Sequence, residues 1–572
     1  MPPGKKRFVP GEFLCYFSIE VMSNLSFCTS GRNLLLGALV FLLSAANPHP
    51  VEAAGVTIIT HGFELDTSYP TWVTAMADAI PNYMQARFPG LDNTCSTYKL
   101  TITAPNGDYS FSPPTRTNGS PPSATASGEI IIELDWSAVS GDILDAYAST
   151  YNVASFVSQI LMATNSFPEL KGHPAIEFPI HLVGHSRGGS LMAQISYVLG
   201  TNGIWTDHLT TLDPYPLNND GNDDFPATVV DAPAQYTYST VPYADNFWQD
   251  IGGGIYEGDP DGEAVAGAYV RQLEDLSGGY VNVSSVDAPY HSNVHLWYDG
   301  TVDLATPASD TAATITSVER AAWWVSEEEK GTNAGFEYSL IGGGNRMSTN
   351  QPLGPGTLAI VDGYNRRWDF GVAGAPNRTV LPSNSGTWPN LIQFNVVGNN
   401  GVTAGQTIAT KFYYQYGGAS NSVTAQFYFD RDFNPYNTNS AFITEISLTN
   451  TGISSVYYDS VNLTTTNVPP GVYAIYGKIS DGAHTRYLYA PESVEIVASA
   501  QPPVLGIVEW NGTQLVIGVS GVSGQEIVLQ SSPDLRNWLP LATNTLTSGS
   551  WTYTNNAPHD LSRQFYRAFL FP

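Results

Sequence analysis

Between residues 56 and about 331, short runs of β-branched and apolar residues alternate with stretches of helical spacing. This alternation is the signature of βαβ units, whose strands, buried on both faces, read as near-continuous apolar runs. VTIIT (56–60), EIIIELDW (129–136) and IHLVG (180–184) predict strands, whereas residues 144–163 and SLMAQISYVL (190–199) predict helices. Residues 316–330 predict a closing helix, because Thr316 and Glu319 suit a capping box and Gly331 stands where a helix C-terminus favours glycine. From residue 336 the period changes to two. TIATKFYYQY (407–416), VTAQFYFD (423–430) and VYAIYGKIS (472–480), separated by turn residues, predict an antiparallel sandwich of immunoglobulin or fibronectin type over 336–497. ASAQPP (498–503) then reads as a linker and 504–572 as a small β module.

Composition narrows the classes. A chain of 572 residues is too long for one hydrophobic core, and 42% hydrophobic with 12% aromatic residues supplies material for several. Its net charge of −28 would repel phosphate backbones and anionic headgroups, so the expected partners include no nucleic acid. LLLGALVFLL (34–43) follows Arg32 and precedes a small-residue stretch ending near Ala54, the layout of a secretory leader over 1–54. A start at Met22 would give that leader ordinary proportions. The run is too short for a stable membrane span, so the expected location is secreted or cell-surface. Removing the leader takes Lys5, Lys6, Arg7 and Arg32 against Glu12, Glu20 and Glu52, which leaves the chain as acidic as before. Cys95 alone then remains, and an intramolecular disulfide is excluded.

The candidate chemistry centres on GHSRGG (184–189), a G-x-S-x-G pattern that is weak alone and gains weight from its setting. A strand leads in and a helix leads out, so Ser186 sits on a sharp turn beside a helix N-terminus, and Gly184 and Gly188 leave room for strand and helix to meet. A serine hydroxyl needs a base to take its proton, and the base needs an acid to fix its tautomer. The acid is expected at Asp213, which ends the strand-like LTTLDP (209–214); Asp245 in YADNFW (243–248), placed after the following strand, is the alternative. The base is expected in YVNVSSVDAPYHSNVHLWY (280–298), read as a strand, a break at Pro289, and a helix near Ser292. That leaves His291 in the lead-in and His295 one turn inside the helix as its competitor. Two backbone N–H groups should hold the oxyanion, those of Phe63, which ends ITHGF (59–63) in the loop after the first strand, and of Arg187. For the Arg187 side chain the readings are solvation or attraction of an anionic substrate group.

In this order the landmarks IITHGF with Trp72, LDW (134–136) with Tyr147 and Asn152, VGHSRGG, LTTLDP and HSNVHLWY resemble the α/β-hydrolases of the pancreatic and lipoprotein lipase type. The resemblance covers about residues 55–331. It implies an α/β-hydrolase domain over 55–335, a mostly parallel sheet flanked by helices, that cleaves carboxylic esters through an acyl-enzyme without a required cofactor. It also supports Asp213, the acid after the nucleophile's neighbouring strand, and His291, the residue opening a helix that carries Trp297 and Tyr298. Arg187, where the family commonly has an apolar residue, and the missing lid cysteines depart from the pattern.

Residues 105–128 and 215–234 read as insertions, the second as a rim of the site. Asp220, Asn222, Asp224 and Asp231 have a spacing that suits calcium, with a hydrated acidic turn as the alternative because Phe225 replaces the usual glycine. Asp259, Asp261 and Glu263, and Asp430, Asp432 and Asn434, are read the same way. Trp538 and the tyrosines of the β modules offer either core aromatics or a platform for carbohydrate and cell-surface contact. The alternative function is accordingly an adhesive or carbohydrate-binding protein with an inactive hydrolase domain.

Overall fold

A computed structural model describes residues 55–570 apart from several stretches, the longest being 88–94, 104–107, 120–127, 142–147, 220–228, 252–259, 304–312, 324–334, 343–377, 382–387 and 557–563. The expected leader, Tyr147, the calcium pattern at Asp220, Asn222 and Asp224, Asp259, and the end of the closing helix lie outside the described residues.

The first half is a mixed sheet with helices. Its strands are β1 (Gly55–Thr60), β2 (Ser96–Thr103), β3 (Ser110–Phe111), β4 (Thr115–Gly119), β5 (Glu129–Asp135), β6 (Ile180–His185), β7 (His208–Leu212), β8 (Tyr243–Trp248) and β9 (Tyr269–Gln272). The order is β3-β2-β5-β1-β6-β7-β8-β9, with β4 also on β2. β2 through β9 along this path run parallel, and β3 and β4 are antiparallel to β2. β1, β5 and β6 are buried at every residue, which is why they read as unbroken apolar runs.

The described helices are α1 (Thr71–Arg87), α2 (Ser137–Ser140), α3 (Thr150–Met162), α4 (Arg187–Thr201), α5 (Pro289–Val302) and α6 (Ser317–Trp323). At the start of α6, Thr316 N–H donates to Glu319 Oε2 (2.7 Å) and Glu319 N–H to Thr316 Oγ1 (3.2 Å), the reciprocal pairing of a capping box. Two local expectations fail. Where a strand is expected from residue 280, the chain forms a 3-10 turn, Gly279–Asn282, because Gly278 (φ 92°) just before it and Gly279 (φ 52°) at its start take the chain into the left-handed region. Pro289 opens α5 instead of breaking the chain ahead of it, since a first-turn proline lacks only an N–H that the helix does not use. His291 therefore lies in the first turn, not in a lead-in.

The C-terminal region is all β. One sheet pairs Asn390–Val396, Thr407–Gln415 and Tyr457–Thr464, and a six-stranded sheet is centred on Gly471–Ser480 and Val423–Asp430. Phe394 and Phe412 from the first and Phe427, Phe429 and Ile475 from the second share one core, a sandwich-like packing in which each buried ring contributes roughly 1.5–3 kcal/mol. Two further three-stranded sheets, between Val504 and Leu570, enclose a smaller core around Ile517, Ile527 and Leu529. The buried Arg486 joins the sandwich to the helix-flanked sheet: its guanidinium donates to Trp205 O (2.9 Å), Phe178 O (3.2 Å) and the Asp207 carboxylate (2.9 Å). Among the described residues no helix is long and apolar enough to cross a membrane.

Candidate functional site

Strand register brings the candidate residues to one edge. β6 and β7 pair His185 with Leu212, so Ser186 and Asp213 each follow the last residue of adjacent parallel strands. β1 pairs Thr60 with Gly184, which sets the loop after β1 beside them. Ser186 adopts φ 57° and ψ −130°, a conformation that L-residues rarely hold, at the turn from β6 into α4. Its backbone is fixed from three sides: Ser186 N–H donates to Leu212 O (2.9 Å), and its carbonyl accepts from Gly189 (2.9 Å) and Tyr215 (3.2 Å). A Cβ at Gly184 would overlap the Gly188 carbonyl, and one at Gly188 the His61 carbonyl, so glycine is required at both.

His291 Nδ1–H donates to Asp213 Oδ2 at 2.6 Å. Three further donors converge on that carboxylate: Gln249 N–H (2.8 Å) and Gly262 N–H (3.1 Å) on Oδ1, and Gln249 Nε2 (3.0 Å) on Oδ2. Burial pushes the Asp213 carboxyl up, against the pull of these donors, and lowers His291 to about 3. All four partners of Asp213 are N–H groups, which favours a carboxylate acceptor and leaves the shared proton on Nδ1. His291 also sits against the end of β6: its ring lies 4.4 Å from that of His185, and its carbonyl accepts from His185 Nε2 at 2.9 Å.

The alternatives go elsewhere. Asp245 lies inside β8 rather than after it, where its Oδ1 accepts from His208 Nε2 (2.9 Å) and from the Thr210 hydroxyl. His295 is buried and stacked on Trp72, with centroids 4.2 Å apart and planes 15° apart, and meets His185 edge-on at 4.8 Å. Neither solvent nor a substrate anion takes the Arg187 side chain. It is fully buried, and its Nε and Nη2 each donate to Asp231 at 2.7 Å. Asp231 is thereby committed to an ion pair.

Phe63 follows Gly62, where an added Cβ would stand 2.8 Å from Ser186 Oγ, and the Arg187 amide opens α4 directly after the serine. Trp136 anchors this loop through Nε1–H to His61 O (3.0 Å), with its own N–H donating to His61 Nε2 (3.3 Å). Burial lowers His61 to about 4, consistent with Nε2 as an acceptor. Gln249 and Trp136 are the two positions that sequence reasoning missed as supports of the site. Trp136 stands in the LDW run (134–136); Gln249 carries no local signal, since its role depends on the β7–β8 pairing.

Among the described residues no group of three or more His, Cys, Asp or Glu side chains is arranged to hold a metal ion. Asp430 accepts from Tyr489 Oη (2.6 Å), and Asp432 from the amides of Asn437 (2.8 Å) and Asn439 (2.6 Å). The Arg567 guanidinium covers one face of Trp538 at 4.3 Å.

No family model and no curated protein matches the chain. Among solved structures, the CARDB domain of a Pyrococcus furiosus protein in complex with di-metal ions is 13% identical, covering 19% of this chain and 90% of that one at a TM-score of 0.14. The C-terminal domain of Wzt is 10% identical, covering 20% and 75% at a TM-score of 0.15. At such scores neither likeness bears on the fold or the site.

Proposed function

We propose that the chain is a secreted serine hydrolase that cleaves carboxylic esters through an acyl-enzyme, on an α/β-hydrolase fold of the pancreatic and lipoprotein lipase type. The observation that carries this reading is the 2.6 Å Asp213–His291 bond at the strand edge where Ser186 occupies a left-handed turn. Ser186 Oγ attacks the ester carbonyl while His291 Nε2 takes its proton, and Asp213 stabilises the imidazolium. The tetrahedral oxyanion is held by the Phe63 and Arg187 amides, the second at the positive end of a 15-residue helix. Collapse expels the alcohol, which leaves with the proton from His291; water, deprotonated by the same imidazole, then frees the acid and restores Ser186. The chemistry needs no cofactor.

Incubation with short-chain p-nitrophenyl esters tests the proposal. Wild type should turn over and take a fluorophosphonate label on Ser186, whereas Ser186→Ala should lose roughly 10³-fold or more in kcat/KM and all labelling. Equal background from both proteins would favour the adhesive, carbohydrate-binding alternative. N-terminal sequencing of exported protein tests secretion.

A further inference from the structure

We propose that the buried Arg187–Asp231 ion pair is a positioning element of the ester-cleaving site, fixing the amide that receives the oxyanion. The inference rests on the proposed function and concerns side chains that function does not use. Arg187 contributes its backbone to the site, while its side chain turns inward and binds three separate segments. The guanidinium grips Asp231 with two N–H donors at 2.7 Å, donates to Ala148 O at 2.9 Å and to Ser140 O, and lies 5.0 Å over the Trp136 ring. Asp231 in turn accepts from Thr150 N–H and Leu217 N–H, both at 3.0 Å. Around them, Ala232 N–H donates to Thr150 Oγ1 (2.8 Å) and the Ser190 hydroxyl to Ala232 O (2.5 Å).

Both charged groups are thus satisfied without water, the condition under which a buried pair holds a defined geometry. Apolar side chains of similar volume often serve stability as well, so a planar fork placed directly after Ser186 and gripping three segments points to orientation. The chain of contacts also reaches the other oxyanion donor, because Trp136 beneath the guanidinium is the residue that anchors the His61–Phe63 loop. Both amides are therefore held from one clasp, and loosening it should misdirect them while leaving Ser186, His291 and Asp213 in contact with their own partners.

The experiment compares Asp231→Asn, Asp231→Glu and Arg187→Lys with wild type, using fluorophosphonate titration so that kcat is expressed per competent Ser186. Asp231→Asn and Arg187→Lys should lower kcat per titrated site by about 30-fold, the scale of a sub-ångström misplacement, with KM within about twofold. They should weaken a boronate that mimics the tetrahedral state by a similar factor and leave the affinity of a non-hydrolysed amide analogue unchanged. Asp231→Glu should recover part of both losses. A lower melting temperature with unchanged kcat per titrated site would make the clasp mere scaffold and overturn the inference. Wild type that takes no label overturns the proposed function, and this inference with it; labelled wild type alongside fully active variants overturns this inference alone.

Discussion

Two aspartate–histidine pairs are built around the same sheet, one within its strands and one beyond their ends, at bond lengths that differ by only a few tenths of an ångström. Asp213 and His291 meet at 2.6 Å and Asp245 and His208 at 2.9 Å, and all four residues are buried. Asp245 sits opposite Thr210 in the β7–β8 pairing, well back from the strand ends, and His208 is stacked on His181 at 3.7 Å with Tyr243 edge-on at 4.9 Å. That pair lies among strand side chains. Asp213 stands one residue past its strand with φ 44°, and its histidine comes from a helix whose first turn meets His185, the last residue of the strand before Ser186. The difference teaches that pairing alone does not define a candidate relay; position relative to the strand end does, because side chains can converge on a reacting group only where the ladder stops.

Exchange of single residues can break this comparison. Asp213→Asn should cost roughly 10³–10⁴-fold in kcat/KM, since an amide no longer fixes the tautomer or stabilises the imidazolium. Asp245→Asn should change kcat/KM by less than about threefold, and destabilise by about 2 kcal/mol through the lost hydrogen bonds of a buried carboxylate. Ester assays beside urea titrations measure both, and the opposite ranking would exchange the two roles. Gln249→Leu removes one of the three N–H donors that Asp213 receives besides His291, and should lower kcat about tenfold while shifting the far-downfield proton resonance of His291 Nδ1–H. Unchanged kcat and resonance would leave Gln249 a loop anchor.

A third buried carboxyl, Glu129 on β5, has no histidine and sharpens the contrast. It accepts from Thr57 Oγ1 (2.5 Å) and Ser339 N–H (3.1 Å), and burial pushes it up from 4.5 to about 7. Because the folded state favours its neutral form, its contribution to stability is complete below pH 4.5 and lost as pH rises through about 7. Glu129→Gln should therefore remove about 1 kcal/mol of the stability loss between pH 6 and pH 8, read from denaturation midpoints at the two pH values. An unaltered slope would show that Glu129 is ionised throughout.

Periodicity made much of the secondary structure legible. VTAQFYFD coincides with the strand Val423–Asp430, and IHLVG with all but the last residue of Ile180–His185. Continuous apolar runs and strict alternation are direct consequences of two-sided and one-sided burial, so they survive in the sequence. The reading failed where one residue type serves opposite purposes: Pro289 starts a helix as readily as it ends a strand, and Arg187, polar by composition, is fully buried because Asp231 from a distant insertion meets it.

For the candidate site, the sequence by itself determined residue types and neighbourhoods: a serine between a strand and a helix, an aspartate after one strand, another in the next run, and two histidines near a proline. Only the tertiary structure decided the partners, sending Asp213 to His291, Asp245 to His208 and His295 to Trp72. The physical reason is that strand pattern is a local property of burial, whereas register, which carries one carboxylate past the sheet edge and leaves the other within it, is set by pairing between segments dozens of residues apart.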